Sequence, residues 1–282
     1  MQFSDLHIHS AFSDGTLLPS QIINISERKG LHYISVTDHD TIESQIELYN
    51  YLNTNESIVR VISGIEISTE FCNREIHILG YFINIYDKEL NENMQRIKDI
   101  RKCRAIEIIN RLNELNIQIN IEDLLKNDIS IGRMHIAKLL VEKGAAPNTK
   151  EAFLNYLIKG KPAYVSRIKI DYKKVFSLIT KANGVPVLAH PGEIYKGIST
   201  EQLIKEFKVY GLKGIEVFHP SHCSKDTNKF YNLAKKYSLV ITGGSDCHGI
   251  NLYNDYLIGS VGLNEELTNK FINLRKNYLW GS

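Results

Sequence analysis

Histidine and aspartate side chains alternate with apolar ones in the stretch DLHIHSAFSDG, which runs from Asp5 to Gly15. Side chains two positions apart in a β-strand lie on the same face, so His7 and His9 are expected to project together. Their separation along the strand would be about 6.6 Å, which allows both imidazoles to converge on one metal ion. The spacing predicts a metal site at the end of the first strand. The simpler alternative is a pair of hydrogen-bonded histidines.

The same residue types recur where later strands are predicted to end. These candidates are Asp38, His39 and Asp40 in VTDHDT, Glu66 in GIEIS, His77 in EIHILGY, His190 in VLAHPG, Glu216, His219 and His222 in GIEVFHPSH, and Asp246 and His248 in GGSDCHG. In a parallel barrel the carboxyl ends of the strands all face one site, so these side chains are expected to meet. Imidazole and carboxylate ligands without thiolate suit manganese, iron or zinc in a hydrolytic centre. Two or three such ions can bind both the attacking and the leaving oxygen of a phosphoryl group.

The elements that would carry these residues are of two kinds. Residues 1–86 and 162–282 alternate strand and helix patterns, with apolar runs such as YISVT, GVPVLAH and LVITGGSD. This alternation predicts an α/β fold with parallel strands and crossover helices. Residues 87–161 show helical periodicity instead, with Ile97, Ile100 and Ile109 near a 3.6-residue repeat. We therefore expect one domain built from the outer ranges, and a helical insertion over the active site.

Composition excludes several classes of protein. The 282 residues are 43% hydrophobic and 23% charged, as in a globular protein with a large core. No apolar run approaches the roughly 20 residues that span a bilayer, and the first residues do not resemble a signal peptide. The four cysteines lack C-x-x-C spacing, and reduced thiols favour a cytoplasmic location.

Charge gives little reason to expect a nucleic-acid surface. The net charge of +2 does not predict stable binding to duplex nucleic acid. The basic run RIKDIRKCR, residues 96–104, places Ile97 and Ile100 at helical spacing among its charges. This arrangement favours a solvated helix face over a nucleic-acid contact.

The order of the motifs resembles that of the PHP (polymerase and histidinol phosphatase) superfamily. The matching stretches are DLHIHSAFSDG, VTDHDT, GIEIS, HILGY, LAHPG and GGSDCHG. GRMHIAKLLV and YLIKGKPAYV resemble the helical insertion of one branch, the nucleoside 3',5'-bisphosphate phosphatases. Some members of that branch also act as 5'-to-3' exoribonucleases on short RNA. The resemblance implies a distorted (βα)7 barrel with a trinuclear metal centre.

Carried over residue by residue, the resemblance implies three metal positions. They would be held by His7, His9, Glu66 and Asp246; by Glu66, His77 and His190; and by Asp14, His39 and His248. Asp14 replaces the histidine of many PHP phosphatases, which resembles the nucleotidase-like branch. Every expected ligand position is filled, which argues against the non-catalytic forms of the domain. The implied cofactor is three divalent ions, with manganese favoured over iron and zinc.

Other polar residues are candidates for substrate contact or for support of the ligands. Arg133 in GRMHIA could clamp the phosphate that is not cleaved, and His135 lies beside it. His219 and His222 follow a strand end and could contact substrate phosphate or protonate the leaving group. Asp5 and Asp38 are expected to orient ligating histidines, although either could instead satisfy backbone groups in a turn.

These observations predict a metal-dependent phosphoesterase. The favoured substrate is the 3'-phosphate of a nucleoside 3',5'-bisphosphate, or short RNA attacked from its 5' end. One alternative is histidinol-phosphate phosphatase, which Asp14 and the insertion disfavour. The other is a non-catalytic, metal-stabilised interaction module, which the complete ligand set disfavours. The expected partner is a small phosphorylated molecule, with no membrane contact.

Overall fold

The fold was analysed in a computed structural model that describes residues 2–125, 129–166, 170–194, 197–250 and 255–279. The strands are β1 (Ser4–Ile8), β2 (Tyr33–Val36), β3 (Arg60–Val61), β4 (Gly64–Phe71), β5 (Arg74–Tyr81), β6 (Val185–Leu188), β7 (Gly214–Phe218) and β8 (Val240–Gly243). The helices are α1 (Pro19–Arg28), α2 (Glu43–Thr54), α3 (Lys88–Glu114), α4 (Glu122–Leu125), α5 (Arg133–Glu142), α6 (Thr149–Ala152), α7 (Tyr172–Lys181), α8 (Thr200–Val209), α9 (Ser224–Lys236) and α10 (Glu265–Leu279). A π-helical turn follows α6 over Phe153–Leu157, and a 3-10 turn covers Pro191–Glu193.

The strands form two sheets. Strands β1, β2 and β3 pair in parallel, and the second sheet has the order β4-β5-β6-β7-β8. Strand β5 is antiparallel to both of its neighbours, which differs from the expected all-parallel arrangement. The cause is a two-residue turn at Cys72 and Asn73, whose φ angles are 48° and 61°. Positive φ at both central residues is what a tight hairpin of the type I′ kind requires.

Isolated bridges join the two sheets at two points. His39 pairs with Glu66 beyond the end of β2, and Ile8 pairs with Cys247 beyond the end of β8. Within the described ranges, the hydrogen-bonded ladders remain two sheets and do not form a closed barrel. The fold is therefore a mixed α/β fold in which the ends of β1, β2, β4 and β8 come together.

The middle of the chain has an apolar cluster of its own. Helix α3 begins after Asp87, whose side chain accepts a hydrogen bond from the Leu90 amide at 2.8 Å and caps the helix. The second half of α3 packs on α5 through residues such as Ile108, Leu112 and Leu140. That cluster draws its members from residues 105–165, whereas the other clusters line the two sheets. No described helix is long and apolar enough to cross a membrane.

The interpretation of the basic run as a solvated helix face is wrong for two of its residues. Lys98 is buried, and its Nζ lies 2.7 Å from Oε1 of Glu43 on α2. Arg101 is largely buried and pairs with Asp40, which follows β2. Both cations therefore attach α3 to the loops around the sheets, and both pair with residues more than fifty positions away in sequence.

Candidate metal centre

The carboxylate of Glu66 on β4 lies at the middle of the site and is fully buried. Its Oε1 lies 3.0 Å from Nδ1 of His77 and 2.8 Å from Nε2 of His190. Its Oε2 lies 2.9 Å from Nδ1 of His39 and 3.4 Å from Nε2 of His9. One carboxylate thus faces imidazoles from four separate parts of the chain, which is the arrangement that a bridging ligand would have.

Strand β1 and the loop after β8 supply the next group. His7 and His9 are fully buried, and their Nε2 atoms are 3.2 Å apart. Oδ1 of Asp246 lies 3.0 Å from Nε2 of His9 and 3.4 Å from Nε2 of His7. Asp246 has a φ of 49°, a left-handed conformation that is uncommon outside glycine and recurs at functional sites. A Cβ at Gly244 would overlap the backbone of His7, so glycine there allows the end of β8 to approach β1.

Asp14, in the loop after β1, forms a third group. Its Oδ1 lies 3.2 Å from Nε2 of His248, and its Oδ2 lies 4.0 Å from Nε2 of His39. His39 therefore faces both Asp14 and Glu66, whereas the family resemblance implied His39 only for the position with Asp14 and His248. The sets whose possible ligand atoms all lie within 4.8 Å of one another are His7, His9 and Glu66; His39, Glu66 and His77; and His9, Asp14, His39 and His248.

Several buried polar atoms of the site lack a hydrogen-bond partner. Among the buried atoms without a hydrogen bond in the described part of the chain, four belong to the site: Nδ1 of His9, Oδ1 of Asp14, Nδ1 of His39 and Oε2 of Glu66. The last two lie 2.9 Å apart, and Oδ1 of Asp14 lies 3.2 Å from Nε2 of His248, but neither contact has hydrogen-bond geometry. Buried polar atoms without partners cost free energy, and native proteins rarely concentrate them in one place. Divalent ions would satisfy them, and imidazole with carboxylate is a suitable donor set. The residues fit the metal that the family resemblance implies.

Two carboxylates outside the ligand sets that the resemblance implied contact the histidines. Glu216 on β7 is fully buried; its Oε1 lies 3.0 Å from Nδ1 of His7, and its Oε2 accepts the His190 amide at 2.7 Å. Oε1 of Glu75 lies 3.2 Å from Nε2 of His77. A carboxylate on the second ring nitrogen fixes the orientation of a ligating histidine and raises its basicity. Glu216 was visible as a carboxylate near a strand end, but nothing in the sequence distinguished support from direct ligation.

Asp5 and Asp38 do not contact histidine side chains in the way that was expected. Asp5 accepts hydrogen bonds from the backbone amides of Ser245 at 2.9 Å and Gly259 at 2.8 Å. Asp38 accepts from the Ser10 amide at 2.7 Å and from the Ser10 hydroxyl at 2.6 Å. The structure thus favours the alternative, in which each carboxylate satisfies donors of the loops that carry the ligands.

Two of the histidines predicted to contact substrate have both ring nitrogens engaged by the backbone. Nδ1 of His135 accepts the Gly132 amide at 3.0 Å, so its Nε2 donates to the Ser13 carbonyl at 2.8 Å. Nε2 of His222 accepts the Gly192 amide at 3.1 Å, so its Nδ1 donates to the Val217 carbonyl at 3.0 Å. These contacts leave no ring nitrogen for a phosphate, which argues against the predicted role of either residue.

His219 faces the ligand cluster. Its Nε2 lies 3.3 Å from Oδ2 of Asp246, and its Nδ1 lies 2.7 Å from the Ser221 hydroxyl. Burial lowers the pKa of the His219 imidazole, but the hydrogen bond to Asp246 and the charge of Glu216 outweigh it and raise that pKa. Asp246 and Glu216 therefore favour the protonated form of His219 beside the cluster.

Arg133, the first residue of α5, lines a cavity of about 180 Å³ together with Asp14, His39 and His77. Its guanidinium lies 5.6 Å from the ring centroid of Phe153, and its Nη2 lies 3.8 Å from Oε2 of Glu75. The helical segment therefore brings a planar cation to the same cavity as three of the predicted ligands.

The carboxylates and imidazoles shift one another's pKa values strongly. Burial raises the pKa of the Glu66 carboxyl, but the charges of His39 and His77 outweigh it and hold that pKa well below its usual range. Burial lowers the pKa of His77, but Glu66 outweighs it and raises that pKa to about 10. The pKa of His248 rises to about 9, because Asp14 outweighs burial. The metal-free site therefore holds protons at neutral pH where metal ions would bind.

Metal binding is accordingly expected to release protons and to strengthen as pH rises. His77 and His248 must lose their protons to bind a metal ion, so affinity for Mn²⁺ should increase from pH 7 up to about pH 9–10. Their raised pKa values also stabilise the metal-free fold below about pH 6.5, and this contribution is lost as pH rises through 9–10. Titration calorimetry in buffers of different ionisation enthalpy measures the released protons. Binding heats that do not depend on the buffer would contradict this protonation pattern.

Imidazoles and carboxylates clustered where the strands of a mixed α/β fold come together are typical of metal-dependent hydrolases. Residues 5–103 match the PHP domain family. The chain is 32% identical to a 5'-3' exoribonuclease of Haemophilus influenzae over 247 residues, which cover 86% of this chain and 89% of that one. It is 31% identical to a 3',5'-nucleoside bisphosphate phosphatase of Chromobacterium violaceum, with 86% of each chain covered.

Comparison with solved structures also finds a metal-dependent phosphoesterase. A Bifidobacterium adolescentis protein assigned as a metal-dependent phosphoesterase superposes with a TM-score of 0.86 and 26% identity, over 97% of this chain and 96% of that one. The chain belongs to the PHP family. It is a metal-dependent phosphoester hydrolase.

Proposed function

We propose that the protein hydrolyses the 3'-phosphate of nucleoside 3',5'-bisphosphates, and that it also removes nucleotides from the 5' end of short RNA. The observation that carries this proposal is the cavity shared by Arg133 and the predicted ligands Asp14, His39 and His77. A substrate with two phosphates needs a metal centre for one and a fixed cation for the other. The named activities of the relatives from H. influenzae and C. violaceum support the same choice.

The ions would be held by the residues that the family resemblance implied, with His39 shared between two groups. We propose three divalent ions, with manganese as the first choice and iron and zinc as alternatives; a donor set of imidazole and carboxylate without thiolate suits all three. When bound, such ions polarise the phosphoryl oxygens and lower the pKa of a bound water. Glu216 and Glu75 would keep His7 and His77 in the orientation that binding needs.

The other side chains would bind the substrate and move a proton. The guanidinium of Arg133 would hold the 5'-phosphate through paired N–H donors. His219 is the candidate that would give a proton to the leaving 3'-oxygen, because its Nε2 lies 3.3 Å from Asp246, which favours the protonated imidazole. The ring of Phe153, 5.6 Å from the guanidinium carbon of Arg133, would keep the guanidinium facing the cavity.

We also propose the domain organisation that suits this function. Residues 1–86 and 162–282 would form a distorted (βα)7 barrel, whose irregular closure is supported by the bridges from His39 to Glu66 and from Ile8 to Cys247. Residues 87–161 would form the insertion over the active site. The amide of Ser130 donates to the Phe12 carbonyl at 2.9 Å, which supports that placement.

The test is a substrate panel with manganese-loaded protein. Adenosine 3',5'-bisphosphate should yield inorganic phosphate and adenosine 5'-monophosphate, identified by chromatography, and a chelator should abolish the reaction. A short 5'-phosphorylated RNA should be degraded more slowly from its 5' end. Preference for histidinol phosphate would support the alternative phosphatase assignment, and no turnover of any substrate would support a non-catalytic module.

A further inference from the structure

Arg101 on helix α3 contacts Asp40, the residue that follows the predicted metal ligand His39. Two guanidinium nitrogens of Arg101, Nε and Nη2, donate to Oδ2 of Asp40, with Nε at 2.9 Å. Asp40 is fully buried, and the Arg101 side chain is largely buried. Asp40 directly follows His39, which faces both Glu66 and Asp14.

The backbone around His39 is fixed on both sides by strand β4. The Glu66 amide donates to the Asp38 carbonyl at 3.2 Å, and the Asp40 amide donates to the Glu66 carbonyl at 2.9 Å. Oδ1 of Asp40 also accepts the Ser68 amide at 2.8 Å. Both carboxylate oxygens of Asp40 are therefore used, one by β4 and one by Arg101.

Asp40 also has an unusual backbone conformation. Its φ is 52°, in the left-handed region that a residue with a Cβ enters only at a cost. Such conformations persist where the surroundings determine them fully, and they are common at functional sites. This conformation sets the direction in which the chain leaves His39, so the contacts of Asp40 also determine where the imidazole lies.

We propose that Arg101 is a positioning residue, which acts through Asp40 to hold His39 in the metal centre. The inference rests on the proposed function, because it takes His39 to be a metal ligand. In this arrangement α3 determines the occupancy of the metal position formed by Asp14, His39 and His248. The position formed by His7, His9 and Asp246 depends on the strands instead.

The same helix provides a matched control. Lys98 lies one turn before Arg101, is buried, and pairs with Glu43 on α2 at 2.7 Å. Glu43 does not adjoin a predicted ligand. A Lys98→Met change removes a buried cation that attaches the same helix to the same part of the fold, and it leaves the Arg101–Asp40 contact in place.

The experiment measures Mn²⁺ binding by equilibrium dialysis with elemental analysis, without substrate. Arg101→Lys and Arg101→Met should weaken by about 10–100-fold the same Mn²⁺ binding step that His39→Ala weakens, as loss of a group that supports a ligand does. Lys98→Met should lower the Tm while leaving every Mn²⁺ affinity within about twofold, a margin smaller than the effect expected for Arg101.

A double variant covers the case in which Arg101→Met does not fold. Arg101→Met with Asp40→Asn removes both charges and keeps an oxygen for the Ser68 amide. This variant should still bind weakly the ion at the position formed by Asp14, His39 and His248, because the guanidinium no longer fixes residue 40. Wild-type affinity in this variant, or in both single variants, would overturn the inference.

Two other outcomes are informative. If Arg101→Lys raises the KM for the bisphosphate without changing Mn²⁺ affinity, Arg101 contacts substrate and the inference is wrong. If the wild-type protein and the Lys98→Met control bind no Mn²⁺, the proposed function itself fails, and the inference fails with it.

Discussion

Glu66→Gln is expected to lower kcat by about a thousandfold or more, which corresponds to about 4 kcal/mol of transition-state stabilisation. Glu66 faces four imidazoles with its two buried oxygens, so we expect it to bridge two ions. Glutamine keeps the size of the side chain but removes the negative charge that holds both ions. Phosphate release and metal content, measured on the same preparation, test this expectation.

Two variants serve as references for Glu66→Gln. Glu70→Gln makes the same chemical change four residues further along β4 and should leave metal content unchanged. His77→Ala removes one of the imidazoles that face Oε1 of Glu66 and should mainly empty one metal position. Equal metal loss in Glu66→Gln and His77→Ala would show that Glu66 does not bridge.

Arg133→Ala is expected to reduce kcat/KM on adenosine 3',5'-bisphosphate by about a hundredfold. The ions can engage only the phosphate that is cleaved, so the 5'-phosphate depends on the guanidinium that lines the cavity. A hundredfold change is about 3 kcal/mol, the upper end for a hydrogen bond to a charged group. Initial rates at several substrate concentrations give the ratio.

Adenosine 3'-monophosphate is the matched substrate, because it lacks only the 5'-phosphate. Its hydrolysis should change little in Arg133→Ala, and Arg133→Lys should recover part of the loss on the bisphosphate. An equal loss on both substrates would mean that Arg133 serves the reacting phosphate. No loss on either would mean that it has no part in substrate binding.

Much of the fold follows from local patterns in the sequence. The alternation in DLHIHS correctly predicts that the side chains of His7, within β1, and His9, directly after it, project together. The direction of β5 was not predicted, because Cys72-Asn73 is not one of the dipeptides that mark a two-residue hairpin, and only the structure shows the positive φ of both residues. Strand β5 runs antiparallel to β4, and His77 lies within β5 opposite Ser68. Its Nδ1 nevertheless lies 3.0 Å from Oε1 of Glu66, two residues before Ser68 on β4.

The supporting residues could not be predicted, because their partners are distant in sequence. The charge spacing of residues 96–104 suits a solvated helix, and only the fold brings Arg101 to Asp40 and Lys98 to Glu43. In the sequence, Glu216 cannot be distinguished from other carboxylates at strand ends. Only the structure shows its Oε1 3.0 Å from Nδ1 of His7. His135 illustrates the reverse case, since its polar character suggested substrate contact while its nitrogens bind backbone groups of two loops.

Anomalous diffraction from crystals soaked in Mn²⁺ tests the central claim most directly. Data collected at the manganese absorption edge should show three peaks in one cluster. Two should share the carboxylate of Glu66, and the third should lie between Asp14, His39 and His248. The Glu66→Gln crystal should lose the two peaks that share residue 66. A map with no peak beside Glu66 in the wild-type protein would contradict the account.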